Sequence, residues 1–124
     1  MCQELGLEMD ENIFPQIAFG FAGGIGNTGE ACGAVVGGVM ALGLVLGRGG
    51  SMEEMMANLD IAQDFARRFR ERMGHVTCRD LTGCDISTPE ARMQYMDSKV
   101  PEEVCFPAVG TAYEIVMEVL KEQE

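Results

Sequence analysis

Residues 31–47 read ACGAVVGGVMALGLVLG, an apolar run of seventeen residues without a charge. This length is at the lower limit for a membrane-spanning helix, which needs about 20 apolar residues. Charged residues flank the run closely, and a helix that is apolar all round is typical of a protein interior. We therefore predict a buried central helix from Glu30 to Leu46, with Thr28 as its cap and Gly47 as its end.

The segment that follows this run contains the clearest helix of the chain. Ser51 and Glu54 form a capping box, and Gly74 supplies an end signal. Between them, apolar residues recur at helical spacing and form one stripe, at Met55, Leu59, Ala62, Ala66, Phe69 and Met73. The pattern predicts a long third helix that packs through this stripe.

Capping residues, prolines and apolar spacing mark the other helices. They are predicted at about Glu11–Ala22 after Asp10 or Asn12, from Ser87 or Thr88 before Pro89 toward Tyr95, and at about Pro107–Lys121. The last of these is expected to bury Val109, Ala112, Tyr113, Val116, Val119 and Leu120. No segment shows the alternation of a strand. We expect an all-α fold, a compact bundle of about five helices in one domain over residues 1–124, with residues 75–86 as a loop.

A glycine-rich segment, GIGNTG at residues 24–29, matches the dinucleotide fingerprint G-x-G-x-x-G. That fingerprint requires a strand before it, and the preceding IAFGFAG contains two glycines. No second βαβ unit follows. We therefore interpret Ala22–Gly29 as a tight corner between two helices, with nucleotide binding as the lesser alternative.

The formal net charge of −11 argues against nucleic acid and anionic membranes as partners, because both attract clustered Lys and Arg. The opening MCQELGLEMDEN is acidic and lacks the apolar core of a secretory signal. We expect a cytoplasmic protein without a membrane-inserted helix. The apolar, glycine-rich second helix further predicts a homodimer that buries this face against a second copy.

The five cysteines lie at positions 2, 32, 78, 84 and 105. None forms a CxxC pair, which disfavours a thioredoxin-type site or a zinc ribbon, and the absence of CxxCH excludes covalent c-type haem. Because the spacings are long, any shared site must be assembled by folding. A cysteine can equally be a small buried apolar residue, so inert thiols remain an alternative.

The order of these segments resembles the C_GCAxxG_C_C family of redox-active proteins. Cys32–Gly37 reads CGAVVG, after the glycine-rich FGFAGGIGNTGEA, and CRDLTG at Cys78–Gly83 and a lone Cys105 follow. The family is similar to the non-haem part of split-Soret cytochrome c, where cysteines hold an iron–sulfur cluster. The resemblance therefore implies a small helical protein with four characteristic cysteines.

Carried over by position, Cys32, Cys78 and Cys105 match three of the four family cysteines. The fourth should lie upstream of ELGL at residues 4–7, so we expect this chain to lack the family's N-terminal cysteine-bearing segment. Cys84 or Cys2 is then the candidate substitute. The resemblance thus implies Cys32, Cys78 and Cys105 as redox residues and, with Cys84, as metal ligands.

Three functions remain open on this basis. The first is electron transfer to an unidentified partner protein through a cysteine-ligated iron–sulfur cluster. The second is thiol–disulfide chemistry without metal, in which Cys32 benefits from the N-terminal dipole of the second helix. The third is a helical partner-binding subunit with inert cysteines. We predict that Cys32, Cys78 and Cys105 converge in space, where Cys84, six residues beyond Cys78, could join them; such convergence would support either of the first two functions.

Overall fold

A computed structural model of the protein describes residues 12–124. The helices are α1 Ile13–Ala18, α2 Ala22–Ile25, α3 Gly33–Leu46, α4 Met52–Met73, α5 Cys78–Thr82, α6 Pro89–Asp97 and α7 Phe106–Glu122. A 3-10 turn, Phe19–Phe21, and a π turn, Pro101–Cys105, complete the described part. Its β-structure consists of one isolated antiparallel bridge, Ala31 with Thr77. The all-α bundle is confirmed.

The core lies where the three longest helices, α3, α4 and α7, pack against one another. Phe65 and Phe69 of α4 are completely buried, with ring centroids 6.4 Å apart. Leu42 of α3 and Ile115 of α7 face them in the same cluster. Burial of such side chains stabilises the fold by about 1.5–3 kcal/mol each.

Local sequence signals position α4 and α6 as predicted. The Ser51 hydroxyl accepts a hydrogen bond from the Glu54 backbone N–H, and the Glu54 carboxylate accepts one from Gly50 N–H. The Thr88 hydroxyl accepts from Ala91 N–H, so Thr88 caps α6, with Pro89 in the first turn. These caps satisfy helix-terminal donors that have no partner inside the helix.

The second helix begins later than predicted, at Gly33, and Cys32 occupies its cap position. Thr28 is not the cap: its hydroxyl donates to the carbonyl oxygens of Gly24 and Ile25. The cause is the extended Ala31, whose bridge to Thr77 keeps this part of the chain out of the helix. Gly47 ends α3 as predicted, with a φ of 71°.

The first predicted helix is interrupted after Ala18, and its proposed cap Asp10 lies outside the described residues. The predicted loop at residues 75–86 contains α5, which begins after Thr77. There the Thr77 hydroxyl accepts from the Asp80 N–H, a capping signal that the sequence analysis missed.

Three apolar positions predicted to be buried are exposed: Leu59, Val109 and Tyr113 are 59%, 59% and 37% accessible. The spacing of apolar residues identifies the apolar face of a helix, but the packing of the neighbouring helices determines which residues of that face are buried most deeply. In α4 the centre shifts to Phe65. The second helix likewise buries one face only, since Val39 remains 40% accessible. Among the helices of residues 12–124, none combines the length and apolar character that a membrane crossing requires.

Candidate functional site

The glycine-rich corner is a run of left-handed backbone from Gly23 to Asn27. Ile25 and Asn27 also adopt positive φ, of 64° and 62°, which is rare for a β-branched residue such as isoleucine. Backbone hydrogen bonds close the corner, among them Glu30 N–H to the Gly24 carbonyl at 2.9 Å. The corner is therefore a tight turn between helical segments, as predicted, and the chain leaving it returns past Gly24.

The returning chain pairs with the segment that begins α5. Cys78 N–H donates to the Glu30 carbonyl at 2.7 Å, and Cys32 N–H donates to the Val76 carbonyl at 2.8 Å. The Arg79 guanidinium adds a bond to the Thr28 carbonyl at 2.9 Å. These hydrogen bonds join the two segments on both sides of the bridge between Ala31 and Thr77. Cys32 and Cys78 are therefore held on adjacent segments of backbone.

Close approach at this contact requires a glycine. Gly24 is buried, and a Cβ atom placed on it would lie 2.7 Å from the Cys78 Cβ and 2.5 Å from the Glu30 carbonyl oxygen. Real Cβ atoms essentially never come that close to their neighbours. The absence of a side chain at Gly24 therefore allows α5 to pack against the glycine-rich corner, and this packing places Cys78 there.

The other two cysteines reach the same region from later elements. Gly83 ends α5 in a left-handed conformation, and Cys84 turns back so that its thiol donates to the Thr82 carbonyl at 3.4 Å. Cys105 closes the π turn before α7, and that turn packs against α5. The Tyr95 hydroxyl of α6 is 2.8 Å from the Cys105 Sγ.

Electrostatics show that these thiols share one environment. The pKa of the Cys78 thiol is raised, first by its burial and then by the negative charges of Cys32, Cys105 and Cys84. The pKa of Tyr95 is raised by burial, by its hydrogen bond to Cys105, and by the charges of Cys105, Cys78 and Cys84. We call Cys32, Cys78, Cys84 and Cys105 the four-cysteine site. Cys78 therefore lies near enough to the other three cysteines to respond to their charges, and the meeting of the sulfurs at one point stays a prediction.

All four thiols are free and partly buried. Four sulfur donors fit an iron–sulfur cluster by their chemistry. Their placement does not, since within residues 12–124 no three Cys, His, Asp or Glu side chains are grouped closely enough to hold a metal ion. Cys2, the other candidate substitute, lies outside the described residues.

Two residues of this region were not identified from the sequence. Gly24 belongs to the G-x-G-x-x-G match, but its role is to admit Cys78, and helical turns precede it instead of a strand. Tyr95 was noted only as the end of the fourth helix. No local signal could have linked it to Cys105, because the contact depends on how α6 and the π turn meet.

Comparison with known proteins identifies a family for this chain. A family model described as "Putative redox-active protein (C_GCAxxG_C_C)" matches residues 1–119. No curated protein and no solved structure matches the chain. Because the family model spans nearly the whole sequence, the chain belongs to the C_GCAxxG_C_C family of redox-active proteins.

Proposed function

We propose that the protein transfers electrons through the four-cysteine site, with an iron–sulfur cluster as the first candidate for the redox group. The observation that carries the proposal is that backbone hydrogen bonds join the segments of Cys32 and Cys78, and that the π turn ending at Cys105 packs against the helix that Cys78 begins. Cysteines from different parts of a 124-residue chain that the fold brings to one region are candidates for a shared redox site.

The charge balance of the site favours a redox group over inert thiols. Burial and mutual repulsion disfavour several thiolates together, as the raised pKa of Cys78 shows. Binding of iron cations or formation of a disulfide removes this repulsion. The family's redox description supports the same conclusion.

Cys32, Cys78, Cys84 and Cys105 are the residues that would hold a cluster, but only after their sulfurs approach one another more closely than in this structure; a bound cluster would supply one-electron chemistry. The chain's own residues position the sulfurs and shield them from water. Gly24 admits Cys78, and the Cys32 side chain packs against the apolar core. Burial and hydrogen bonds to sulfur are the means by which a protein sets the potential of such a group.

Thiol–disulfide exchange is the second candidate. It is favoured by the placement of the thiols, because a disulfide requires the approach of only two sulfurs and a cluster requires more. Two thiols would release two protons and two electrons as one S–S bond forms, and a redox partner protein would accept the electrons. Cys78 with Cys32 or Cys105 is the pair we propose for it.

Anaerobic purification followed by an absorption spectrum and assays of iron and acid-labile sulfide separates these candidates. Cluster binding by the four-cysteine site predicts visible absorption that is lost in Cys32→Ser, Cys78→Ser, Cys84→Ser and Cys105→Ser and kept in Cys2→Ser. Absorption lost in Cys2→Ser and kept in Cys84→Ser would make Cys2 the fourth ligand instead. A colourless protein that loses two thiols on oxidation supports the disulfide. A protein that binds no metal and keeps all four thiols under mild oxidation would overturn both candidates. The remaining function would then be that of a partner-binding subunit.

We also propose that the protein is cytoplasmic, that it exchanges electrons with an unidentified partner protein, and that it forms a homodimer. An apolar groove of about 480 Å³ between α1, α3 and α7 supports self-association, because Gly33, Gly37 and Met40 line it without covering it. Light scattering across a wide concentration range tests the dimer. A monomer at every concentration would contradict it.

A further inference from the structure

The Tyr95 hydroxyl is a candidate for a role in the four-cysteine site that neither the motif nor the family description assigns. Tyr95 lies on α6, a helix that contributes no cysteine. Its oxygen is 2.8 Å from the Cys105 Sγ, well within the range of a hydrogen bond to sulfur. Tyr95 is partly buried, so water competes weakly for this contact.

The direction of the bond follows from the state of the sulfur. A cysteine that is a thiolate, a metal ligand or half of a disulfide carries no proton, so the Tyr95 O–H must donate. Hydrogen bonds to a charged acceptor are about twice as strong as neutral ones. The bond therefore stabilises a reduced cluster, or Cys105 as a released thiolate, more than the oxidised form, in which the sulfur carries less negative charge.

We propose that Tyr95 is a positioning residue that orients the Cys105 sulfur and raises the reduction potential of the four-cysteine site. This inference rests on the proposed redox function, and it applies to a cluster held by Cys105 and to a disulfide that includes Cys105. In both, loss of the hydroxyl leaves the reduced sulfur with one donor fewer.

Tyr95→Phe removes only the hydroxyl, and Tyr113→Phe is the matched control. Tyr113 is the other tyrosine of the chain and forms no hydrogen bond with a cysteine of the described region. We expect the equilibrium constant for reduction to fall about tenfold in Tyr95→Phe. This corresponds to a potential about 30 mV lower for a two-electron couple, or about 59 mV lower for one electron. Tyr113→Phe should match the wild type.

A second measurement tests the contact if Tyr95→Phe fails to fold. The chain has two tyrosines, so 3-fluorotyrosine labelling gives two ¹⁹F resonances, and Tyr113→Phe assigns them. Cys105→Ser should shift the Tyr95 resonance, and Cys2→Ser should shift neither. A Tyr95 resonance whose chemical shift is unchanged in Cys105→Ser would contradict the contact between Tyr95 and Cys105.

The outcomes separate this inference from the function on which it rests. A wild-type protein without a reversible couple overturns the redox function, and the role of Tyr95 with it, before any variant is compared. A wild-type couple that has the same potential in both tyrosine variants overturns the role of Tyr95 alone. A lower potential confined to Tyr95→Phe supports it.

Discussion

Gly24→Ala tests whether the glycine corner positions Cys78. Gly24 has a φ of 72°, and an added Cβ would meet the Glu30 backbone and the Cys78 Cβ within 2.7 Å. Gly26 provides a matched control, because its φ is 61° and nothing lies within 4 Å of an added Cβ. Both substitutions place alanine in the left-handed region, but only Gly24→Ala also creates a clash.

The expected magnitudes follow from these two effects. A left-handed alanine costs about 1–2 kcal/mol, which is the whole cost for Gly26→Ala. Overpacking adds about 1–3 kcal/mol for Gly24→Ala, so its total is about 2–5 kcal/mol. Urea unfolding followed by circular dichroism measures both, and a typical m value separates the midpoints by about 1 M.

Alkylation of Cys78, followed by mass spectrometry, provides a local readout for the same pair of variants. In Gly24→Ala the contact between the corner and α5 must open, so Cys78 should react several-fold faster than in Gly26→Ala. Equal stability and equal reactivity of the two variants would refute the conclusion that Gly24 admits Cys78.

Two further predictions concern the bundle. Gly38→Ala should destabilise it by about 1–3 kcal/mol, because the added Cβ would lie 2.2 Å from the Phe65 Cζ, whereas Gly37→Ala meets open space and should be neutral or stabilising in urea unfolding. Arg68 hydrogen-bonds both carboxylate oxygens of Glu122 and lowers the pKa of that carboxyl below its ordinary 4.5. The resulting stability is present above pH 4.5 and is lost as the pH falls through the lowered pKa. Arg68→Met should therefore lower the melting temperature at pH 7, and the difference from the wild type should shrink as the pH falls below 4.5; a constant difference would contradict this.

Caps and stops could be predicted because their partners lie within one helical turn. The Ser51 hydroxyl and the Glu54 N–H are three residues apart, so the sequence contains the whole interaction. The late start of α3 depends on the bridge between Ala31 and Thr77, which are distant in sequence. The exposure of Val109 likewise depends on how α7 rotates against its neighbours.

The candidate site likewise has features that could be predicted from the sequence and features that could not. The motif and the family resemblance identified Cys32, Cys78 and Cys105 without geometry. The backbone hydrogen bonds that bring the Cys32 and Cys78 segments together could not be predicted, because they join residues far apart in sequence. The contact between Tyr95 and Cys105 joins α6 to the π turn, and no spacing rule connects those positions.

An anaerobic redox titration of the wild type beside Cys78→Ser and Cys2→Ser tests the central claim most directly. Cys78 begins α5, which is hydrogen-bonded to the Cys32 segment and packs against the π turn of Cys105, so we expect the site to fail as one unit without it. We predict a reversible couple in the wild type and in Cys2→Ser that is absent from Cys78→Ser. A wild type without a couple, or a couple unchanged in Cys78→Ser, would contradict the account of a single four-cysteine redox site.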